Sequence, residues 1–197
     1  MKVMWDLCSG LGGASAAFMQ SKNWKVVRIE INPELSFVDE TYIMSIQEFH
    51  QNLDKFPKPD LIWFSPPCNQ WSNGFNSEKC KNRREGKEFI PDLEIVKTGL
   101  RIIHEMNPEY FVIENVMGAR EFFHPILGEH TQRIAGMYLW GEFPNIPIKA
   151  THKFNKINLN FDMHDPLRAN KRALIPFKVS KELRDAIDMQ TSLKRWI

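Results

Sequence analysis

Short apolar runs alternating with longer helical segments constrain this chain more than any other feature, because that rhythm builds a parallel α/β sheet. Val3–Leu7 reads as a buried first strand, Val26–Ile31 as a second, Thr41–Met44 as a short third, Leu61–Phe64 as a fourth and Tyr110–Ile113 as the next. Between the first two, Ser9-Gly10-Leu11-Gly12-Gly13 turns the chain into a tightly packed helix over Ala14–Gln20. Leu93, Val96, Leu100, Ile103 and Met106 fall on one face of a helix expected over Asp92–Met106, with Asp92 as its N-cap. From residue 125 the pattern loosens. Met137–Trp140 is expected as a further strand, 141–170 as irregular structure, and Val179–Met189 as a closing amphipathic helix with Leu183, Ala186 and Ile187 inward.

A chain of 197 residues with this apolar content can bury one sizeable core, with room for a small appendage. No apolar run approaches the roughly 18–20 residues that a membrane span needs, and Met1–Asp6 enters a strand-like run at once, unlike a signal peptide. Cys8, Cys68 and Cys80 are odd in number and widely spaced, which suits a reducing compartment and gives no zinc-ligand pattern. A cytoplasmic protein with no metal site is expected. Net charge is only +2, yet residues 145–197 carry 11 Lys/Arg against 5 Asp/Glu while the first 144 residues carry 15 against 19. A basic tail on an acidic body either meets phosphates or simply solvates a surface helix.

Three places carry chemistry. The turn Asp6-Leu7-Cys8-Ser9-Gly10-Leu11-Gly12-Gly13 joins a first strand to a first helix, where a ligand can approach the backbone, and Glu30 at the end of the second strand can accept from ribose hydroxyls. Ser65-Pro66-Pro67-Cys68-Asn69-Gln70-Trp71-Ser72 follows the fourth strand directly. The two prolines fix the backbone and aim the thiol, so Cys68 is either a nucleophile or a structural thiol. Glu114-Asn115-Val116 follows the Tyr110–Ile113 strand; its carboxylate either points into the crevice above the sheet or caps a helix over Met117–Phe123.

Taken together, Asp-Leu-x-x-Gly-x-Gly-Gly, Pro-Pro-Cys and Glu-Asn-Val, each at a strand end and in this order, resemble the C5-cytosine DNA methyltransferase family over roughly residues 3–124. Ser-Pro-Pro-Cys with a nearby Ser, and Arg172–Ile187 with its Ile-Pro and terminal helix, look most like compact members that bacteriophages encode. The resemblance implies an S-adenosylmethionine-dependent, Rossmann-like α/β sheet with helices on both faces and a small irregular C-terminal region. It divides the chain into a cofactor-binding catalytic domain over 1–144 and a reduced target-recognition region over 145–197 that packs back on it. It further implies methyl transfer from S-adenosylmethionine to cytosine C5 in duplex DNA, in a bacterial host's cytoplasm, with protection against restriction as the role.

By the same resemblance Cys68 adds to C6 of the base, which pushes electron density onto C5. Glu114 contacts N3 and the exocyclic amine, and its pKa must be raised for that task. Asp6, Leu7, Cys8, Gly10, Leu11, Gly12 and Gly13 surround the methionine moiety, Glu30 meets the ribose and Ile31 packs on the adenine. Ser65 and Pro67 close the methyl-donor side. A base within a duplex must be flipped out. Asn69–Phe89 is the expected mobile loop, with Gly74 and Gly86 giving it freedom; Asn69, Gln70, Ser72, Lys79, Lys81, Arg83, Arg84 and Lys87 are its candidate DNA contacts.

Some positions depart from the family pattern. Cys8 stands where a Phe is usual, with Trp5 or an aromatic from elsewhere in the chain to compensate, and Ser45 stands about where an acid meets the adenine amine. Gln132–Trp140 replaces a Gln-x-Arg-x-Arg strand, leaving Arg133 as the arginine for the base pocket. For target recognition there remain His152, Lys153, Lys156, His164 and Arg168, which suit phosphates rather than base edges. A short or relaxed sequence preference, a homodimer or a separate specificity partner follows. The alternatives are the same chemistry on RNA or a cytosine nucleotide, and a catalytically silent relative that binds nucleic acid or a partner.

Overall fold

The computed structural model describes residues 1–154 and 164–194. Among these residues seven strands form one sheet: β1 (Lys2–Leu7), β2 (Trp24–Glu30), β3 (Thr41–Ile43), β4 (Leu61–Phe64), β5 (Tyr110–Val116), β6 (Gln132–Ile134) and β7 (Met137–Glu142). Their spatial order is β3-β2-β1-β4-β5-β7-β6. The first five run parallel, while β7 is antiparallel to both β5 and β6. From β1 the chain steps outward to β2 and β3 and then returns to β4 on β1's other side. The order therefore reverses between β1 and β4, the crevice where open α/β sheets receive ligands. Among the described residues no helix is long and apolar enough to cross a membrane.

Among the described residues seven α-helices accompany the sheet: α1 (Ala16–Met19), α2 (Ile46–His50), α3 (Glu78–Arg84), α4 (Glu94–Met106), α5 (Arg120–Leu127), α6 (Arg168–Ala173) and α7 (Phe177–Lys194). Several differ from the periodic pattern. The first helix is shorter than Ala14–Gln20, because the left-handed backbone at Gly10 and Gly12 delays its start. Helix α4 opens one residue late, yet Asp92 still accepts the Glu94 N–H at 2.8 Å. Within the expected loop, Ser77 caps α3 by accepting from the Cys80 N–H, and in the stretch read as irregular α6 forms. The largest correction is β5, which runs three residues past Ile113. Its antiparallel partner β7 pairs with Phe111–Val116 and supplies ladder bonds beyond the end of β4. Glu114 therefore stands inside a strand and caps no helix.

The two-residue period of a strand sorts the sheet into two faces. Trp5, Leu7, Val27, Ile29, Ile62, Phe64 and Ile113 pack with α2, α4 and α5 through Phe49, Val96, Ile102 and Phe123. Met4, Val26, Leu61, Trp63, Val112 and Leu139 face the other way, against Phe18 of α1 and Val179, Leu183 and Ile187 of α7. Burying each of those three α7 side chains stabilises the contact by roughly 1.5–3 kcal/mol. Ser180 Oγ accepts the Ala17 N–H at 3.0 Å, and Arg184 donates to the Ala17 carbonyl at 2.8 Å, so α7 is also tied to α1 by hydrogen bonds.

Candidate active site

On the face covered by α1 and α7, each apolar strand run ends in a polar side chain. Met4 is followed at the same parity by Asp6, Val26 by Arg28 and Glu30, Trp63 by Ser65, and Val112 by Glu114. Four adjacent strands thus deliver a row of ionisable and hydroxyl groups to one side of the switch point. Their chemistry follows from burial. Asp6, 1% exposed, accepts from Ser15 Oγ at 2.5 Å, and Arg28 donates from Nε to the same hydroxyl at 2.8 Å. Burial raises the Asp6 carboxyl to about 7 against the pull of Ser15 and Arg28. Arg28 also donates to the carbonyls of Asp39 and Gly12, fixing the glycine-rich turn from beneath. Nothing about the sequence reading drew attention to Arg28, although an arginine within an apolar strand was the available signal.

Glu30 holds the same turn from the side. Its carboxylate accepts the Gly10 N–H at 2.8 Å and the N–H groups of Ile31 and Asn32 at 3.0 Å each. Two glycine positions are structurally obligatory. A Cβ at Gly13 would stand 2.4 Å from the Ile175 carbonyl, so the loop before α7 presses directly on the turn. At Gly10 (φ +53°) a Cβ would meet only Asn170 Nδ2 at 3.7 Å, which leaves its open side facing α6. Beside it, Ser9 Oγ is buried without a hydrogen-bond partner among the described residues. Leu11 is half-buried in the turn. Cys8 has a left-handed backbone, and burial, Glu30 and Asp6 all push its thiol upward, which favours the protonated form. Ile31 is 69% exposed next to Glu30, an apolar side chain with no cover. Trp5 does not compensate for the missing aromatic. It is fully buried on the opposite face, 4.9 Å from Phe49, because odd positions of β1 point away from the turn. Ser45 caps α2, accepting the Glu48 N–H in a capping box.

The Pro66-Pro67-Cys68 segment is held by Asn115. Its amide donates to the Pro66 carbonyl at 2.9 Å, and its carbonyl oxygen accepts from the Trp71 indole and the Val116 N–H, both at 2.9 Å. Pro67 is exposed, and Cys68 is half-buried. Burial pushes the Cys68 thiol up, Glu114 pushes it further, and the Cys68 N–H together with Arg172 pull it back. The Glu114 charge on β5 therefore bears on the thiol in the loop that follows β4. Burial raises Glu114 to about 7, opposed by the Ser65 hydroxyl. The sequence reading missed Arg172 as a neighbour of the thiol, since α6 reaches it only through tertiary packing.

Other expected contacts scatter. Arg133 is exposed in β6, and its partner across the ladder is Tyr138, itself opposite Asn115. That parity puts Arg133 on the sheet face opposite to Glu114, and its Nε donates to the Ala135 carbonyl at 3.0 Å. Gln132 is spent on the Ile146 backbone at 2.7 and 3.0 Å. In the Asn69–Phe89 segment, Gln70 binds the Asp92 backbone, Ser72 Oγ accepts the Gly74 N–H and Asn69 is exposed. Lys79 pairs with Glu121 at 2.6 Å, Lys87 with Glu85 at 2.7 Å, and Arg84 stacks on Phe75. Lys81 and Arg83 are exposed and make no ion pair among the described residues. Lys153 and His164 are exposed, Arg168 is half-buried with its Nε unpartnered, and Lys156 lies outside the described residues. One cluster escaped the sequence reading: His124, Glu129 and His130 bring ligand atoms within 4.8 Å of one another. Arg120 Nε faces His124 Nε2 at 3.4 Å, a fixed positive charge that opposes a cation there.

Residues 2–132 match the family model described as C-5 cytosine-specific DNA methylase. The chain is 27% identical over 116 residues to the "Probable DNA (cytosine-5)-methyltransferase" of Frog virus 3 (isolate Goorha), covering 56% of this chain and 51% of the viral protein. It is also similar to a solved structure of a candidate DNA modification methyltransferase encoded within a prophage (E. coli), at 17% identity and a TM-score of 0.47, over 72% of this chain and 46% of that one. The chain spans about half the length of the relatives it matches.

Proposed function

The chain belongs to the C-5 cytosine-specific DNA methylase family, and from that premise we propose that it methylates C5 of cytosine in DNA, with Cys68 as nucleophile and Glu114 as the acid at N3. The observation that supports this reading is that the Glu114 charge on β5 bears on the Cys68 thiol in the loop after β4, while Asn115 holds that loop and the Ser65 hydroxyl opposes the rise of Glu114.

The residues of the turn fit S-adenosylmethionine. Ser9 Oγ is a buried hydroxyl in need of a partner, Gly10 leaves its open side to a ligand, and exposed Ile31 offers an apolar face beside the Glu30 carboxylate. Asp6, Gly12 and Gly13 shape the turn from within, while Glu30 would meet the ribose and Ile31 the adenine. When bound, S-adenosylmethionine supplies an electrophilic methyl group. Asn170 of α6 and Leu174, just beyond that helix, stand against Gly10 and Gly13, so this segment would border that ligand.

Attack needs the thiolate of Cys68 and a proton on Glu114 together. The free site disfavours the state with both groups ionised, because like charges there oppose each other. Moving one proton from Cys68 to Glu114 keeps the site's charge and produces the reactive pair. The thiolate then adds to C6, Glu114 gives its proton or a strong hydrogen bond to N3, and electron density reaches C5. After transfer, loss of the C5 proton expels Cys68. Asn115 acts throughout by fixing the carbonyl two residues before the thiol. Lys81 and Arg83 would meet phosphates of a duplex from which the base has been flipped, and the basic residues of 145–197 would add contacts that carry no sequence information.

DNA containing 5-fluorocytosine tests the reading, because fluorine at C5 blocks release. Wild-type protein should form a covalent adduct only with S-adenosylmethionine present, and Cys68→Ala should form none. An adduct through another residue, or equal label transfer by both proteins, would overturn the mechanism. Offering single strands, RNA and dCMP alongside duplex DNA separates the acceptors.

A further inference from the structure

We propose that Ser65 is a positioning residue for Glu114, and that Trp63 sets the direction of its hydroxyl proton. The proposal rests on the reading of Glu114 as the acid at N3. It departs from the expectation that Ser65 walls the methyl donor.

Strand register brings the two residues together. Phe64 of β4 pairs with Ile113 of β5, so the next residue on each strand, Ser65 and Glu114, lies side by side at the parallel ends. Parity puts both on the face of Trp63 and Val112. The Ser65 hydroxyl is also the group that opposes the burial-driven rise of the Glu114 carboxyl, as expected of neighbours at the ends of paired strands. Its own orientation is settled from below, where the fully buried Trp63 donates its indole N–H to Ser65 Oγ at 2.8 Å. An indole N–H can only donate. It therefore occupies a lone pair of the hydroxyl and leaves the hydroxyl's single proton to point at Glu114. A hydrogen bond from Ser65 to one carboxyl oxygen reserves the acid proton for the other oxygen, which is the arrangement an acid aimed at N3 requires.

Two consequences separate this role from a cofactor wall. Removing the hydroxyl takes a donor from the carboxylate anion, so the Glu114 titration should move upward. Affinity for S-adenosylmethionine should stay the same. Titration of 13C-labelled glutamate carboxyls by NMR reads Glu114 without any turnover, with Glu114→Gln identifying the signal. For Ser65→Ala the midpoint is expected to rise by about one pH unit, the size of one charged hydrogen bond. Ser65→Thr should restore the wild-type value, and Trp63→Phe should move it part of the way. In adduct formation with 5-fluorocytosine DNA, the alkaline limb should shift upward in the same order.

An unchanged Glu114 midpoint in Ser65→Ala overturns the proposal, as does a loss of cofactor affinity without a titration shift. If wild-type protein forms no adduct while the NMR shift occurs, the hydrogen-bond relay stands and the assigned reaction fails.

Discussion

Burial raises the Glu114 carboxyl to about 7, and the Cys68 thiol is pushed up first by its own burial and then by the neighbouring Glu114 charge. Glu114→Gln removes the negative neighbour without removing bulk. Alkylation of Cys68 by iodoacetamide at pH 8 should therefore run faster in Glu114→Gln than in wild type. Methyl transfer should nonetheless fall by about 10²–10⁴-fold, the usual contribution of a positioned acid. Asp6 obeys a different linkage. Its folded value of about 7 lies above the ordinary aspartate value of 3.8, so the proton is bound more tightly in the native state. Stability from this group is full below 3.8 and is lost as pH rises through about 7. Asp6→Asn should flatten that part of the profile, raising Tm relative to wild type more at pH 8 than at pH 5 in thermal melts.

The strand-end residues are useful only where an element holds them, and β5 does so twice. Its Glu114 faces α1 and α7, while Asn115, one residue on, points to the other face and clamps the Pro66 carbonyl and the Trp71 indole. Asn115→Ala leaves both buried groups without this partner. Urea denaturation should show a loss of about 1–3 kcal/mol, and adduct formation should slow because the loop bearing Cys68 loosens. Helix α3 shows the complementary case. Lys79, Arg84 and Lys87 are engaged within the protein, which leaves Lys81 and Arg83 for phosphates. Lys81→Ala and Arg83→Ala should each reduce the slope of log K against log salt by roughly 0.9. Lys87→Ala should change it less, a difference that salt-dependent DNA binding would measure directly.

At the level of the whole molecule, five parallel strands place every chemical group at one end of the sheet, and the reversal between β1 and β4 opens the crevice there. Much of this was legible in advance. Strands stood out because buried parallel strands are apolar on both faces, and Glu30, Cys68 and Glu114 stood out because polar residues directly follow those runs. The antiparallel tail was harder to read. Residues 132–142 form β6 and β7, but β7 pairs with Phe111–Val116, whose nearest partner, Val116 with Met137, is 21 residues away in sequence, and local patterning does not encode such a pairing. Arg133 misled for the same reason: one step in register decides which face a side chain takes.

The sequence by itself determined the α/β class and the glycine-rich turn, because periodicity and residue chemistry are local properties, and it marked Cys68 and Glu114 as candidates only through their order with that turn. Tertiary structure alone decided that Ser65 stands beside Glu114, that Asn115 grips the Cys68 loop and that Arg172 approaches the thiol. Each of those depends on strand register or on the return of α6 and α7 to the sheet. The energy of such contacts comes from burial, which no residue possesses until the chain has folded around it.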